Sequence, residues 1–204
     1  MKTILAGVLF FALVAVAGGY FLFAHGEAPG SEVQAELAGV KFRYARDEAT
    51  GSGGLSDRLG FLAAFPTFAP VKSAPDPRAV TVTLTAKEEG LAPAERPSKL
   101  YARFLTPETF SGPGGLIERH FEEGSPYDSE ALLIAPPDGK NFFARCPKPQ
   151  AGAPGEACIS LFREGALDVE LRYAPALLEH WDALIDGAHA MLAKMTAPPR
   201  RAKR

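Results

Sequence analysis

Three side chains with acid, base or metal-binding chemistry alternate near the middle of the chain. Glu118, His120 and Glu122 are each separated by one residue, so they share one face if the segment is a β-strand. Carboxylate and imidazole groups placed in this way could bind a divalent metal or form an acid and base pair. The simpler interpretation is a solvated strand face opposite Ile117 and Phe121. We keep the trio as an alternative site and assign no catalytic or metal-binding residue from the sequence.

A second group of polar residues lies near the C-terminus. Glu179, Asp182 and Asp186 are spaced three and then four residues apart, which places them on one side of a helix. That side is opposite the apolar face of the same helix, so we expect it to face solvent, with partner binding as the alternative. His180 and His189 are nine residues apart, half a turn out of phase, and cannot share a metal on one straight helix.

Short motifs of common enzyme classes are missing from the sequence. The chain contains no Gly-x-Ser-x-Gly elbow, no His-Glu-x-x-His pair, no Walker loop and no dinucleotide-binding glycine pattern. The formal net charge of -2 gives no basic face for nucleic acid. We therefore expect no nucleic-acid partner and no cofactor, and we predict a noncatalytic protein.

The two cysteines predict one covalent link. Cys146 and Cys158 have eleven residues between them, which excludes a Cys-x-x-Cys redox motif and a four-cysteine zinc site. In an exported domain the natural prediction is a structural disulfide. The alternative is a pair of buried free thiols in a cytosolic domain.

The N-terminal segment predicts a membrane anchor in residues 1–24. The run from Ile4 to Ala24 is uncharged and apolar, and its length of about 21 residues is enough to cross a hydrocarbon core of ~30 Å. Lys2 before this run predicts a cytoplasmic amino terminus and an extracytoplasmic domain. The alternative is a signal peptide cleaved after Ala17, within the sequence Ala15-Val16-Ala17.

The remaining chain predicts a linker, one domain and a tail. We expect a linker over residues 25–37, with a helical turn at Glu32 to Leu37, then a single globular domain over 38–197. Residues 198–204 are rich in arginine and lysine and predict a basic, disordered tail.

Alternating hydrophobic residues predict the strands of this domain. The pattern is clearest at Val40 to Tyr44, Val80 to Thr85 and Leu167 to Tyr173. A short helix is expected from Ser56 to Phe65. Further strand candidates are Lys99 to Leu105 (or a helix begun at Ser98), Leu116 to Phe121, Ala131 to Ala135, Asn141 to Cys146 and Ala157 to Phe162.

The last part of the domain changes to a helical period. Apolar residues between Pro175 and Met195 recur with a 3.6-residue rhythm, and Trp181 at the centre of their arc is expected to be largely buried. Strands followed by one long helix predict an α+β fold, with about five to eight antiparallel strands packed against that helix.

The expected function follows from the anchor and the missing motifs. The leading hypothesis is a membrane-tethered, periplasmic or equivalent extracytoplasmic domain that binds a protein, a peptide or an envelope polymer. One alternative is an envelope hydrolase or metal-dependent enzyme centred on His120. The other alternative is a subunit of a larger membrane complex, which would expose a large apolar patch.

Overall fold

The computed structural model describes residues 30–50, 57–71, 76–148 and 157–197. The predicted span from Ile4 to Ala24, the first part of the linker and the basic tail 198–204 lie outside these ranges. Within the ranges, every helix is too short or too polar to cross a bilayer. The residues from Glu32 onward cluster as one compact unit.

A nine-stranded antiparallel sheet is the largest element of the described chain. Its strands are β3 Arg58–Ala64, β4 Ala69–Pro70, β5 Ala79–Ala86, β6 Phe110–Ser111, β7 Ile117–His120, β8 Glu130–Ile134, β9 Phe143–Pro147, β10 Cys158–Glu164 and β11 Leu167–Tyr173. They follow one another across the sheet in the order β4-β3-β5-β11-β10-β9-β8-β7-β6, so the antiparallel α+β prediction is confirmed with one strand more than expected.

Strand β5 illustrates why this sheet forms. Val80, Val82 and Leu84 are fully buried, whereas the threonines between them point to the other, half-exposed face. β-Branched residues suit this half-buried, pleated surface. The strand pairs over seven residues with β3 on one side and over seven residues with β11 on the other.

A separate hairpin precedes the sheet and corrects one prediction. Strand β1, Glu32–Leu37, pairs with β2, Val40–Ala45, so the predicted helical turn at Glu32 to Leu37 is wrong. Alternation of glutamate or glutamine with Val33, Ala35 and Leu37 is a strand pattern. Ala38 and Gly39 both adopt positive φ, 52° and 78°, as the tight turn of a two-residue hairpin requires.

The helix predicted from Ser56 to Phe65 is also wrong. Residues 51–56 lie outside the described ranges, and the segment that follows is strand β3. Phe61 and Ala63 are buried on one face of this strand, with exposures of 1% and 0%. Leu59, Leu62 and Phe65 have the spacing of one helix face, but pairing with β5 over all seven residues of the strand overrides this local preference.

The C-terminal helix packs on one face of the sheet and against the hairpin. A 3₁₀ segment, Pro175–His180, leads into helix α1, Trp181–Thr196. The buried ridge of α1 consists of Leu184, Ala188, Leu192 and Met195, all within the apolar face that the sequence predicted.

Trp181 is half-buried, and its predicted central position is wrong. The 3₁₀ segment turns by about 120° per residue instead of 100°, so a single helical wheel drawn from Pro175 misplaces the residues that follow it. Trp181 lies at the border of the core, with its ring 5.1 Å from that of Phe142. Its indole N–H donates to the Gly114 carbonyl at 3.0 Å.

A smaller apolar cluster covers part of the opposite face of the sheet. Its buried members are Tyr101, Phe121, Leu132 and Phe143. The chain passes over them as a π-helical turn, Pro97–Tyr101, so the helical alternative for Lys99 to Leu105 is confirmed. Arg145 lies over the rings of this cluster, 5.1 Å from the Tyr127 centroid, and pairs with Glu130 at 2.7 Å.

An ion pair with a buried carboxylate fastens the segment after β5 to the sheet. Asp168 is 6% exposed and accepts hydrogen bonds from Arg163 Nε at 2.7 Å and Nη2 at 3.0 Å. The Glu88 backbone N–H also donates to it, at 2.9 Å. Burial raises the pKa of the Asp168 carboxyl, but the bonds from Arg163 and Glu88 outweigh it and hold the pKa below its usual range.

We expect this pair to make the fold sensitive to acid. Because the folded pKa of Asp168 is depressed, its contribution is present above the unfolded pKa of about 4 and is lost as pH falls through the folded value. Near neutral pH, Asp168→Asn should lower the free energy of unfolding by roughly 2 kcal/mol. Urea unfolding of both proteins should show this difference shrinking toward about pH 3; a difference that stays constant with pH would contradict the assignment.

Candidate functional site

One border of the nine-stranded sheet carries the residues with candidate chemistry. Strand β6 has only two residues, and it pairs with Ile117 and Glu118 of β7. The preceding segment covers the rest of β7: the Thr106 N–H donates to the His120 carbonyl at 3.0 Å. This arrangement leaves β6 and the residues around it as the outer limit of the sheet.

Glu118 and His120 meet on one face of β7, as alternation predicts. His120 Nε2 lies 2.9 Å from Glu118 Oε1, and both side chains are about one-third exposed, at 38% and 31%. The Phe110 ring stacks on the imidazole with centroids 4.6 Å apart and planes 24° apart. This contact follows from the register, since Phe110 is directly opposite Glu118 and diagonal to His120.

Glu122 is placed apart from that pair. Strand β7 ends at His120, and Glu122 is exposed beyond its end, with its backbone N–H bonded to the Phe104 carbonyl at 2.8 Å. The described ranges hold no group of three histidine, cysteine or acidic side chains that could bind a metal ion. The site therefore offers one carboxylate and imidazole pair, covered on one side by an aromatic ring.

Three exposed glutamates flank this pair along the chain. Glu108, Glu122 and Glu123 are exposed, and hydrogen bonds from its own backbone and from the Thr106 hydroxyl hold the pKa of Glu108 below its usual range. Arg119 of β7 donates to two main-chain carbonyls, those of Thr106 at 2.7 Å and Glu108 at 3.1 Å. Its guanidinium thus holds the border segment in place.

Phe110 is the residue that sequence reasoning missed. It is 45% exposed, and among the described residues no other large hydrophobic side chain is exposed. A strand of two residues between Pro107 and the glycine-rich turn after Ser111 has no alternation to reveal it. The pairing of Phe110 with Glu118 was detectable only from the fold.

The carboxylates predicted to face solvent do so. Asp182 and Asp186 are exposed on α1. Glu179 is exposed in the 3₁₀ segment and accepts a hydrogen bond from the Gly114 N–H at 3.0 Å. This bond ties the C-terminal segment to the turn between β6 and β7.

The two C-terminal histidines have separate surroundings, as expected. The ring of His180 stacks on that of Phe65 at 6.0 Å. His189 Nδ1 lies 3.0 Å from a carboxylate oxygen of Glu164. Both contacts fasten the helical segment to the ends of strands.

The predicted disulfide is present between neighbouring strands. Cys146 of β9 and Cys158 of β10 are linked, with Cα atoms 4.2 Å apart. They are directly opposite, one step beyond the paired residues Arg145 and Ile159, and both are buried. The bond therefore closes the loop between β9 and β10 where the two strands end.

A groove lies between the hairpin and the end of α1. Its volume is about 710 Å³, and the Arg43 guanidinium donates to the Ala197 carbonyl at one border. Both acidic and basic side chains line it, so their charges largely balance; the polar residues are Glu32, Gln34, Glu36, Lys41, Arg43 and Thr196.

Comparisons with known proteins connect this fold to one solved structure. No family model matches the sequence, and no curated protein matches it. The chain is similar to an immunity protein of the type IV secretion system of Stenotrophomonas maltophilia, with a TM-score of 0.60 and 14% sequence identity. The similarity covers 83% of this chain and 95% of that one. At this identity the comparison shows a shared fold.

Proposed function

We propose that this chain is a noncatalytic protein of the cell envelope that binds and neutralises a toxic protein, as an immunity protein does. The observation that carries the proposal is the fold shared with an immunity protein over 95% of that protein's length. A fold can host many functions, so the proposal also depends on the compartment and on the character of the surface.

The disulfide supports an envelope location. Disulfides persist in oxidising compartments and are rare in the cytosol, and Cys146 and Cys158 are bonded in this fold. The apolar run from Ile4 to Ala24, read as an anchor or a signal peptide, supports the same compartment. We propose the anchored form, with the domain of residues 38–197, together with strand β1 that pairs with its strand β2, on the extracytoplasmic side.

The β6–β7 border favours binding over catalysis. A hydrolase centred on His120 needs an accessible imidazole, a partner carboxylate and a group that binds the reacting atoms. Glu118 supplies the partner at 2.9 Å, which is the observation that keeps an enzyme as the second candidate. Phe110, however, covers one side of the ring, and an exposed aromatic side chain is more typical of a protein contact.

The proposal predicts a loss of self-protection. Deleting the gene from its native host should make those cells die in contact with wild-type siblings, because the siblings deliver the toxin that the protein neutralises. Expression of the full chain should restore survival, and the complex recovered with the chain should contain the toxin at equal stoichiometry. Colony counts of both strains after mixed growth measure the effect.

Two controls separate binding from catalysis. Asp186→Ala changes an exposed carboxylate on α1 that is not part of the Glu118–His120 pair, and should restore survival fully. A binding protein protects only when its amount at least equals that of the toxin, whereas an enzyme protects below that ratio. Unchanged survival of the deletion strain, or protection at a small fraction of the toxin's amount, would contradict the proposal.

A further inference from the structure

We propose that the β6–β7 border is the docking surface for the partner, and that the partner presents a basic surface with an apolar socket for Phe110. This inference rests on the proposed function and names the chemistry of the protein that is bound. The border surface is defined here by Phe110, Glu108, Glu118, His120, Glu122 and Glu123.

Phe110 provides the anchor of this surface. Leaving Phe110 45% exposed at a sheet border forgoes part of the free energy that burial of its ring would contribute to folding. The ring is nonetheless held in one orientation by its stack on His120 at 4.6 Å. Because His120 is itself held by Glu118 at 2.9 Å, little conformational freedom remains to be lost when a partner covers the ring.

The carboxylates of the border surface indicate which charge the partner should carry. The border surface carries four glutamates, and two arginines lie beside it: Arg119 on β7, and Arg103, which precedes the Phe104 whose carbonyl accepts from the Glu122 N–H. Four negative charges against two positive charges leave a local excess of two, which equals the formal net charge of -2 of the whole chain. Such a concentration attracts a positively charged protein and repels an acidic one.

The other surfaces fit a partner less well. The groove beside α1 is lined by glutamates together with Lys41 and Arg43, so it selects neither sign of charge. The half-exposed face of β5 presents Thr81, Thr83 and Thr85. Antiparallel sheets commonly leave one face to water, so this face needs no partner. Only the border surface combines an exposed aromatic ring with a charge excess of one sign among the described residues.

Photo-cross-linking in the native host tests the surface. A benzophenone amino acid replaces Phe110 in one strain and Asp186 in a matched strain, and both full-length proteins are irradiated in cells grown in contact with siblings. We expect one adduct from position 110, containing a basic protein, and none from position 186. Adducts from 186 alone, or an acidic protein captured at 110, would overturn the inference.

Binding of the captured protein to purified variants provides a second measurement. Phe110→Ala should raise the dissociation constant roughly thirtyfold or more, as loss of an interface anchor does. The double variant Glu122→Lys and Glu123→Lys should slow association about tenfold at low salt, with the difference disappearing at high salt. Glu36→Lys, a charge change of the same sign at an exposed position of β1 in the separate hairpin, should leave both constants unchanged.

The variants also separate this inference from the proposed function. If Phe110→Ala disturbs the fold, seen as a lowered melting temperature, the two exposed glutamates still report on the surface. Wild-type binding by the glutamate double variant would overturn the inference while leaving the immunity function intact. Full survival of the deletion strain would instead contradict the proposed immunity function itself.

Discussion

Replacing Leu184 by alanine lowers the free energy of unfolding by roughly 3–4 kcal/mol, the cost of a leucine-sized cavity in a closely packed core. Leu184 is fully buried at the first turn of α1, where the helix packs on the sheet. Ala188, one turn further, is also fully buried and has no side chain long enough to fill the space. Urea unfolding of the purified full-length chain measures the loss.

Trp181→Ala provides the comparison that makes this test specific. Because the indole ring is half-buried, against Phe142 at 5.1 Å, its loss should cost roughly 2 kcal/mol, about half the range for a fully buried tryptophan. Asp186→Ala should stay within about 0.5 kcal/mol, since its side chain is exposed. If the Trp181 variant were less stable than the Leu184 variant, Trp181 and not Leu184 would lie at the centre of the buried helix face, and the assignment would be wrong.

Removing the disulfide lowers the free energy of unfolding by about 3 kcal/mol, because the closed loop restricts the unfolded chain. Cys146 and Cys158 are separated by 12 positions, and their strands are adjacent, so the bond closes this loop without moving the sheet. In a domain of this size the melting temperature should fall by roughly 6–12 °C. Thermal unfolding with and without reductant, together with the Cys146→Ala and Cys158→Ala double variant, measures the difference.

Thiol labelling of unfolded protein from the envelope checks the bond directly. Both cysteines should resist labelling until a reductant is added. Labelling of Cys146 and Cys158 without reductant would show that the disulfide does not form, and one of the two arguments for export would be lost. The double variant is the control, since it should not be labelled in either condition.

The fold was predictable where one face of a strand is buried along its whole length. Strands β5 and β11 have inward-facing positions that are all apolar, and their period of two identified them. Strand β3 was missed because Leu59, Leu62 and Phe65 also satisfy a helical spacing. The long-range pairing with β5 decides between the two periods, and a single local segment does not contain that information.

The candidate site was only partly predictable. Alternation correctly brought Glu118 and His120 to one face, because their relation is local. Phe110 comes from a separate two-residue strand, and only the register of β6 on β7 places its ring on the imidazole. The contribution of a border segment to a surface depends on which residues of the sheet it pairs with, and no periodicity encodes that choice.

Survival of the deletion strain, complemented with forms of the chain directed to different compartments, tests the central claim most directly. The full chain and a form with an unrelated envelope signal in place of residues 1–24 should both restore survival beside wild-type siblings. A form without residues 1–24 should stay in the cytosol, lack the Cys146–Cys158 bond that an oxidising compartment supports, and fail to protect. Protection by the cytosolic form, or no loss of survival on deletion, would contradict the account of an envelope protein that neutralises a toxic partner.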